Sequence, residues 1–492
     1  MVVQPKPLWP LRPFLLPLVV FLLMISSNIA SSGVQSFPEK KFLSLHKFQG
    51  KQKSGNNGST SRSSCLSQKS RWESGATILE MKHRDSCTGK PLNWNKKQQN
   101  RLIFDNSRYK LIQSRLENNI SRESTDALDI QIPLQSGVRL QTLNYIVTVE
   151  LGGRQMTVIV DTGSDLTWVQ CQPCQQCYNQ QDPVFNPSVS PSYQSVLCNT
   201  STCQSLQFAT GKVGVCGTSP PNCKYVVNYG DGSYTRGDLG MENLMLGTIP
   251  VSKFIFGCGR SNEGLFGGAS GLMGLGRSDI SLVTQTSAIF GGFFSYCLPL
   301  TDADSSGSLV LGGNSSVYRN TTTISYTRMI PNPQLPTFYF VNLTGISVGG
   351  VGLQSPSFGN GGVLIDSGTV ITRLPPSIYK ALKAEFLKQF SGIPSAPPFM
   401  ILDTCFNLTG YEVVDIPTIR LEFEGNAELA VDVTGIFYFV KPDASQVCLA
   451  LASLAYEDEI GIIGNYQQRN QRVIYDTKES KLGFAAEACS FD

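Results

Sequence analysis

Two short stretches of the chain repeat one arrangement of an acid, a hydroxyl residue and a glycine. Residues 158–164 read Val-Ile-Val-Asp-Thr-Gly-Ser, and residues 363–369 read Val-Leu-Ile-Asp-Ser-Gly-Thr. A buried strand that runs into a turn explains one such copy. Two copies with matching apolar lead-ins indicate a repeated functional unit, which puts Asp161 and Asp366 in equivalent positions.

Paired carboxylates can activate water. If the two halves of the chain pack about a pseudo-two-fold axis, Asp161 and Asp366 meet at the junction and share one proton, because like charges that close cannot both ionise easily. One carboxylate then takes a proton from water while the other polarises a substrate carbonyl. The hydroxyl neighbours supply hydrogen bonds that hold the carboxylates. The supporting residues of the two turns are Thr162, Gly163, Ser164, Ser367, Gly368 and Thr369.

Histidine is confined to the first part of the chain, at His46 and His83. The region after residue 130 therefore contains neither a Ser-His-Asp or Cys-His protease nor a His-ligated metal site. The triplet Cys171, Cys174 and Cys177 has zinc-like spacing, but a secreted context favours disulfides. We expect no metal and no cofactor.

The first 30 residues have the pattern of a secretory signal peptide. Lys6 and Arg12 precede an apolar run at 14–25, and small residues follow it. The run is short for a membrane-spanning helix, so we expect cleavage and no stable membrane anchor. An even count of 14 cysteines agrees with an oxidising compartment. Seven Asn-x-Ser/Thr sites are glycosylation candidates: Asn57, Asn119, Asn199, Asn314, Asn320, Asn342 and Asn407.

Charge divides the chain into a basic leader and an acidic body. Residues 31–130 hold 18 Lys and Arg against 9 Asp and Glu, whereas residues 131–492 hold 20 against 28. This asymmetry favours an internal partner and disfavours nucleic-acid binding by the body. A soluble, loosely folded tail is the alternative. Our hypothesis is that the leader, a propeptide at 31–132, docks on the body and inhibits it until acid loosens the contact.

The body has the pattern of a mainly β protein with many short strands. Strands are predicted at 143–151, 155–160, 224–229, 251–257, 308–312, 337–348, 363–366 and 471–476, and in the leader at 78–81. Helices are predicted at 98–117, from the cap Ser278, and from Pro375-Pro376. Each aspartate is followed at a distance by an apolar pair and glycine, at 271–276 and 461–465, as in a duplicated lobe. The lobes are placed at 133–328 and 329–492.

The doubled motif resembles that of the pepsin-like aspartic proteases. Tyr229-Gly-Asp-Gly-Ser between the copies and Gly464 near the end support this resemblance, and the cysteine cluster from Cys171 to Cys223 is similar to that of the nepenthesin-type plant branch. The family implies a bilobal β fold with a cleft between the lobes. It also implies a monomeric endopeptidase that cuts protein or peptide substrates in acid, made as a secreted zymogen for the apoplast or the vacuole. The alternative is a catalytically silent homologue that acts as a binding module.

The resemblance also assigns roles to individual residues. Asp161 and Asp366 match the catalytic dyad, Thr162 and Ser367 the hydroxyls that brace the two turns, and Ser164 and Thr369 the partners of the outer carboxylate oxygens. Tyr229 matches the flap tyrosine, with Gly230, Asp231 and Gly232 at the flap tip, and Trp168 its hydrogen-bond partner. Both aromatics could instead be plain core residues. Asp231 and Ser367 depart from the usual pattern, although serine keeps the hydroxyl.

For the cysteines, the family pattern implies six bridges. They are Cys171–Cys174, Cys177–Cys258, Cys198–Cys223, Cys203–Cys216, Cys297–Cys489 and Cys405–Cys448. The residues alone do not choose among pairings, and a bridge between Cys174 and Cys177 fits the local spacing equally well. The state of Cys65 and Cys87 is left open.

Overall fold

The fold is built from short strands that belong to two lobes and to the leader. The structure, a computed structural model, describes residues 39–45, 69–84, 94–117, 145–218, 220–229, 233–264, 266–300, 306–318, 321–359 and 361–491. The expected signal peptide, the flap tip at 230–232, Asn57, Asn119, Asn320, Cys65 and Cys87 lie outside these residues. No helix in the described ranges is long and apolar enough to cross a bilayer.

The strands of the first lobe include the one that ends at Asp161. Their bounds are Tyr145–Leu151, Arg154–Asp161, Trp168–Gln170, Gln194–Ser195, Val215–Cys216, Cys223–Asn228, Tyr234–Leu246, Ile249–Glu263, Gly271–Gly274, Phe293–Cys297 and Gly307–Gly312. The strands of the second lobe are Ser325–Ile330, Phe340–Val341, Leu343–Val348, Val351–Gly352, Val363–Ile365, Thr372–Leu374, Ser395–Ala396, Cys405–Phe406, Val413–Pro417, Ile419–Phe423, Ala427–Ala430, Phe437–Phe439, Val447–Leu449, Leu451–Ser453, Gly461–Ile463, Gln471–Asp476 and Lys481–Ala486.

Each aspartate strand lies beside its own glycine-flanked strand. Arg154–Asp161 runs parallel to Gly271–Gly274, with Asp161 opposite Gly274. Val363–Ile365 runs parallel to Gly461–Ile463. The predicted duplication is therefore present in three dimensions, and both aspartates stand where a buried strand ends.

The leader supplies strands and a helix of its own. Its strands are Lys40–Ser44, Ser70–Glu73 and Ala76–His83, and its helix, called the leader helix below, is Trp94–Glu117. Ala76–His83 pairs along Gly307–Gly312 in an antiparallel sheet that continues through strands of both lobes. Lys40–Ser44 pairs with Val413–Pro417 of the second lobe. The described parts of the leader therefore fold as part of the body, and not as a loose tail.

The helices of the body are few and mostly short. They are Ser201–Gln204, Leu206–Thr210, Leu282–Gln285, Ser287–Phe290 and Pro376–Gln389, with 3-10 turns at Pro187–Val189, Ser315–Val317 and Val433–Gly435. The helix predicted from Pro375-Pro376 is confirmed. The one predicted from Ser278 is wrong in its start, because Ser281 caps the first turn. The backbone amide of Ser278 instead donates to Asp165 Oδ1 at 2.7 Å.

Four of the six implied disulfides are wrong in their partners. The observed bridges are Cys171–Cys258, Cys174–Cys177, Cys198–Cys216 and Cys203–Cys223, with Cys297–Cys489 and Cys405–Cys448 present as expected. The implied Cys171–Cys174, Cys177–Cys258, Cys198–Cys223 and Cys203–Cys216 are absent.

Strand pairing and burial explain the exchange of partners. Strand Trp168–Gln170 runs parallel to Ile249–Glu263 with Val169 opposite Cys258. Cys171 lies two residues after Val169, diagonal to Cys258, and the Cα atoms of the two cysteines are 5.3 Å apart. In the other group, Cys203 and Cys223 are both buried and meet in the core. Cys198 and Cys216 meet nearer the surface.

Candidate active site

Asp161 and Asp366 lie together at the junction of the lobes, and each is held by its own turn. Asp161 is 2% exposed and Asp366 is fully buried. The amide of Gly163 donates to Asp161 Oδ1 at 3.1 Å, and that of Gly368 donates to Asp366 Oδ1 at 2.9 Å. The hydroxyls of Ser164 and Thr369 donate to the other oxygens, at 2.7 and 2.6 Å. The two carboxylates therefore have matching hydrogen-bond sets.

A second set of hydrogen bonds ties the two turns to each other. The amide of Thr162 donates to Ser367 Oγ at 3.1 Å, and the amide of Ser367 donates to Thr162 Oγ1 at 2.9 Å. The Thr162 hydroxyl also donates to Ser367 Oγ at 3.3 Å. Serine at position 367 thus keeps the brace that a threonine provides.

Tyr229, the expected flap tyrosine, is in contact with its expected partner Trp168. Trp168 Nε1 donates to the Tyr229 hydroxyl at 2.7 Å, and both rings pack edge-on against Phe266. Trp168 is fully buried. The indole therefore holds Tyr229 by its polar end while Phe266 holds its ring.

Arg108 of the leader helix contacts both aspartates. Arg108 donates through Nε to Asp366 Oδ2 at 2.7 Å, and through Nη2 to Asp161 Oδ1 at 2.7 Å and to Asp366 Oδ1 at 2.9 Å. A longer bond of 3.5 Å joins Nη1 to Asp161 Oδ2. One guanidinium nitrogen thus sits between the two inner carboxylate oxygens.

The glycines of the two turns leave the space that this arginine fills. A Cβ at Gly163 would lie 2.3 Å from Arg108 Nη2 and 2.7 Å from Asp366 Oδ1. A Cβ at Gly368 would lie 2.5 Å from Arg108 Cζ and 2.6 Å from Asp161 Oδ1. Any side chain at either position would therefore separate the carboxylates and block whatever binds between them.

Further polar contacts hold the leader helix on the second lobe. Asp105 accepts from the amide of Val370, and the hydroxyl of Tyr109 donates to Glu459 Oε1, both at 2.5 Å. Gln113 Nε2 donates to the carbonyl of Ile460 at 2.8 Å. The spacing of these anchors follows one face of the helix. The helix therefore covers the dyad and the wall of the second lobe beside it.

The chain is similar to families and proteins already known. Residues 145–313 match the family described as Xylanase inhibitor N-terminal, and residues 338–486 match that described as Xylanase inhibitor C-terminal. An aspartyl protease family protein of Arabidopsis thaliana is 42% identical over 79% of this chain and 82% of its own length. Aspartic proteinase nepenthesin-1 of Nepenthes gracilis is 35% identical over 70% of this chain and 78% of its own length. The chain belongs to the pepsin-like aspartic protease family.

Solved structures agree on the fold of this aspartic protease. A structure titled edgp has a TM-score of 0.57 at 22% identity and covers 71% of this chain and 92% of its own. Basic 7S globulin from soybean has a TM-score of 0.55 at 21% identity, with 70% of this chain and 91% of its own covered. The bilobal, mainly β architecture is thereby established, and the enzyme class is that of aspartic-type endopeptidases.

The electrostatics of the protease dyad depend on the leader. Burial alone raises the pKa of the Asp366 carboxyl. The charge of Arg108 and the hydrogen bonds from Arg108, Thr369 and Gly368 outweigh burial, so the pKa lies below its ordinary value. Burial likewise opposes the charge on Arg108, but both carboxylates outweigh it and raise the pKa of its guanidinium. Arg108 and Asp366 therefore favour each other's charged form beside Asp161.

A further buried acid, Asp165, lies four residues after Asp161. Burial raises the pKa of its carboxyl to about 6, against the lowering effect of hydrogen bonds from Ser278 and Thr337. The group is 2% exposed. Because the folded state favours the neutral form of Asp165, its contribution to folding stability is lost as pH rises through about 6.

Sequence reasoning missed Arg108, Asp105, Arg373 and Asp165. The periodicity at 98–117 predicted the leader helix, and its basic charge suggested docking, but no local pattern marks one of the leader's many basic residues as the partner of the dyad.

The glycosylation candidates Asn199 and Asn314 are exposed, whereas Asn342 and Asn407 are partly buried.

Proposed function

We propose that this protein is an active aspartic endopeptidase, made as an inactive precursor and activated in acid. The observation that carries the proposal is the pair of matching aspartate turns with a single arginine nitrogen held between their inner oxygens. A silent binding module has no need of two complete, cross-braced carboxylate turns. The dyad, its supporting hydroxyls and the Tyr229–Trp168 pair are all intact.

Arg108 Nη2 occupies the place that a catalytic water takes once the leader helix departs. Both inner oxygens then accept hydrogen bonds from the water. With one proton shared by the pair, the ionised carboxylate removes a proton from the water as its oxygen attacks the peptide carbonyl carbon. The protonated carboxyl hydrogen-bonds to the carbonyl oxygen. When the C–N bond breaks, the departing nitrogen takes a proton and the dyad returns to its starting state.

The leader inhibits the precursor in two ways. Arg108 displaces the water and neutralises the carboxylates, and the leader helix covers the cleft where an extended substrate lies. Removal of Arg108 from ionised partners costs several kcal/mol, because two buried charges lose their counterion. The precursor is therefore expected to be inert at neutral pH.

Acid favours departure of the leader helix. Because the pKa of Asp366 is lowered in the closed precursor, the stability that this pair contributes is present above the ordinary carboxyl pKa and is lost as pH falls through the lowered value. The released dyad accepts one proton readily, since its two carboxylates are then close together without a cation. Asp165, whose pKa of about 6 favours the fold in acid, supports the same working range.

The expected setting follows from the same chemistry. We propose protein or peptide substrates, the secretory pathway with the apoplast or vacuole as destination, and a monomeric enzyme. Six disulfides support an oxidising compartment. Among the described residues, the exposed glycosylation candidates are Asn199 and Asn314.

A protein-digestion assay across a pH series tests the proposal. The wild-type precursor is expected to convert and to digest denatured protein below about pH 5, the region where carboxylates begin to protonate. Asp161→Asn and Asp366→Asn are each expected to abolish both processes, because neither aspartate suffices alone. Digestion that survives either substitution would falsify the dyad assignment. A wild-type protein that is inert at every pH after the leader is removed would establish the silent alternative.

A further inference from the structure

Arg373 is a buried cation of the second lobe whose guanidinium is bound by the leader helix. The side chain is 3% exposed. Nη2 donates to Asp105 Oδ2 at 2.8 Å, and Nη1 donates to Asn106 Oδ1 at 3.1 Å. The ring of Tyr109 lies 4.4 Å from the guanidinium carbon. Within the described residues the buried Nε has no hydrogen-bond partner. The lobe thus presents a positive group that the leader occupies.

The carboxylate of Asp105 lies in a complete anion site. Oδ1 accepts from the amide of Val370 at 2.5 Å and from that of Ile371 at 3.4 Å, while Oδ2 accepts from Arg373. Two backbone amides and a guanidinium form the charge-assisted arrangement that suits a carboxylate. Both amides and the arginine belong to one continuous stretch of the second lobe. The site therefore remains with the lobe when the leader departs.

The anion site lies close to the dyad, because Asp105 and Arg108 of the same helix bind the site and the dyad. Val370 follows Asp366 by four residues, and Asp105 precedes Arg108 by three. Three residues of helix span about 4.5 Å along the axis. A substrate bound in extended form advances about 3.3 Å per residue. A side chain at this site therefore belongs to a residue within about three positions of the bond that is cut.

We propose that Arg373, with the amides of Val370 and Ile371, is a carboxylate-binding subsite of the mature enzyme that selects substrates with Asp or Glu near the cut bond. This inference rests on the proposed peptide cleavage. Departure of Asp105 leaves the Arg373 guanidinium and the two amides without the anion that they bind. A substrate carboxylate restores the pair.

Another acid of the lobe, Glu459, makes its hydrogen bonds with groups other than Arg373. Glu459 accepts the hydrogen bond of Tyr109 through Oε1, while its Oε2 accepts from the amides of Ala455 and Tyr456 at 2.7 and 2.9 Å. These two amides hold Glu459 in its own turn. The subsite is therefore left to an acid from the substrate.

Matched peptides test the subsite. The activated wild-type enzyme first digests a denatured protein mixture at pH 5, where Asp and Glu side chains are ionised, and mass spectrometry identifies the position at which acidic residues are enriched. Two peptides that differ only by Asp or Asn at that position are then compared by kcat/KM. The enzymes compared are wild type, Arg373→Gln, Arg373→Lys, and a control, Arg328→Gln. Arg328 is 63% exposed, pairs with Glu424, and lies in the same lobe.

The expected preference of wild type for the Asp peptide is about tenfold or more, as for a hydrogen bond to a charged group. Arg373→Gln is expected to lose this preference and still cut the Asn peptide, Arg373→Lys to keep part of it, and Arg328→Gln to keep all of it. Equal cleavage of both peptides by wild type overturns the subsite, as does a preference that survives Arg373→Gln. Cleavage of neither peptide by wild type rejects the proposed function instead.

Discussion

Removal of the Arg108 charge is expected to release the precursor from inhibition. The substitution Arg108→Gln keeps a side chain that can hydrogen-bond but leaves the two buried carboxylates without a cation. Breaking a buried ion pair by loss of one partner costs about 3–5 kcal/mol. Because the Arg108 side chain is 20% exposed, we take the lower end, about 3 kcal/mol. Each 1.4 kcal/mol changes an equilibrium about tenfold, so the open fraction rises about a hundredfold.

Conversion of the purified precursor at pH 5.5 measures this effect. Gel electrophoresis gives the initial rate, a dilution series separates intramolecular from intermolecular cleavage, and N-terminal sequencing identifies the cut. Arg108→Gln is expected to convert about a hundredfold faster than wild type if opening precedes cleavage. Arg108→Lys is expected to lie between them, because an ammonium cannot make the planar, forked contacts of a guanidinium.

A matched control and an inactive background complete the experiment. Lys110→Gln removes a positive charge from an exposed position of the same helix and is expected to leave the rate unchanged. In an Asp161→Asn background, which cannot cut itself, sensitivity of the leader helix to an added protease reports opening directly. If Arg108→Gln converts at the wild-type rate and its helix is no more sensitive, the arginine does not hold the precursor closed and the reasoning is refuted.

Two further predictions concern the brace and the buried acid. Ser367→Ala removes the hydroxyl that accepts two hydrogen bonds from Thr162. At about 1 kcal/mol per lost hydrogen bond, kcat/KM is expected to fall about thirtyfold. Ser367→Thr should restore activity; an alanine variant with wild-type kinetics would show that the brace is not needed. Burial raises the pKa of Asp165 to about 6. Its favourable contribution to folding stability is therefore present below the ordinary carboxyl pKa and is lost as pH rises through about 6. Asp165→Asn is therefore expected to gain thermal stability relative to wild type between pH 4 and 6.5 in a melting series, and parallel pH profiles for the two proteins would contradict the assignment.

The sequence was sufficient where the determining interactions are local. A strand that ends in Asp, hydroxyl, Gly, hydroxyl specifies a turn whose own amides and hydroxyls bind the carboxylate, so Asp161, Asp366 and their supports could be assigned by inspection. The 3.6-residue period of the leader helix is likewise a local property. Even the general attraction between leader and body could be inferred from opposite charge.

Tertiary structure decided which residues meet across long separations. Among the leader residues that the structure describes, Arg108 is the one that donates hydrogen bonds to both aspartates, because the anchors at Asp105, Tyr109 and Gln113 fix the rotation and depth of the helix on the second lobe. Cys171 bonds to Cys258 because the strand that precedes Cys171 pairs with the strand that contains Cys258, although Cys174 is nearer in sequence. The local sequence determines the chemistry that each turn and helix can offer. Which groups meet across the fold depends on packing between elements far apart in the chain, and no local pattern encodes that packing.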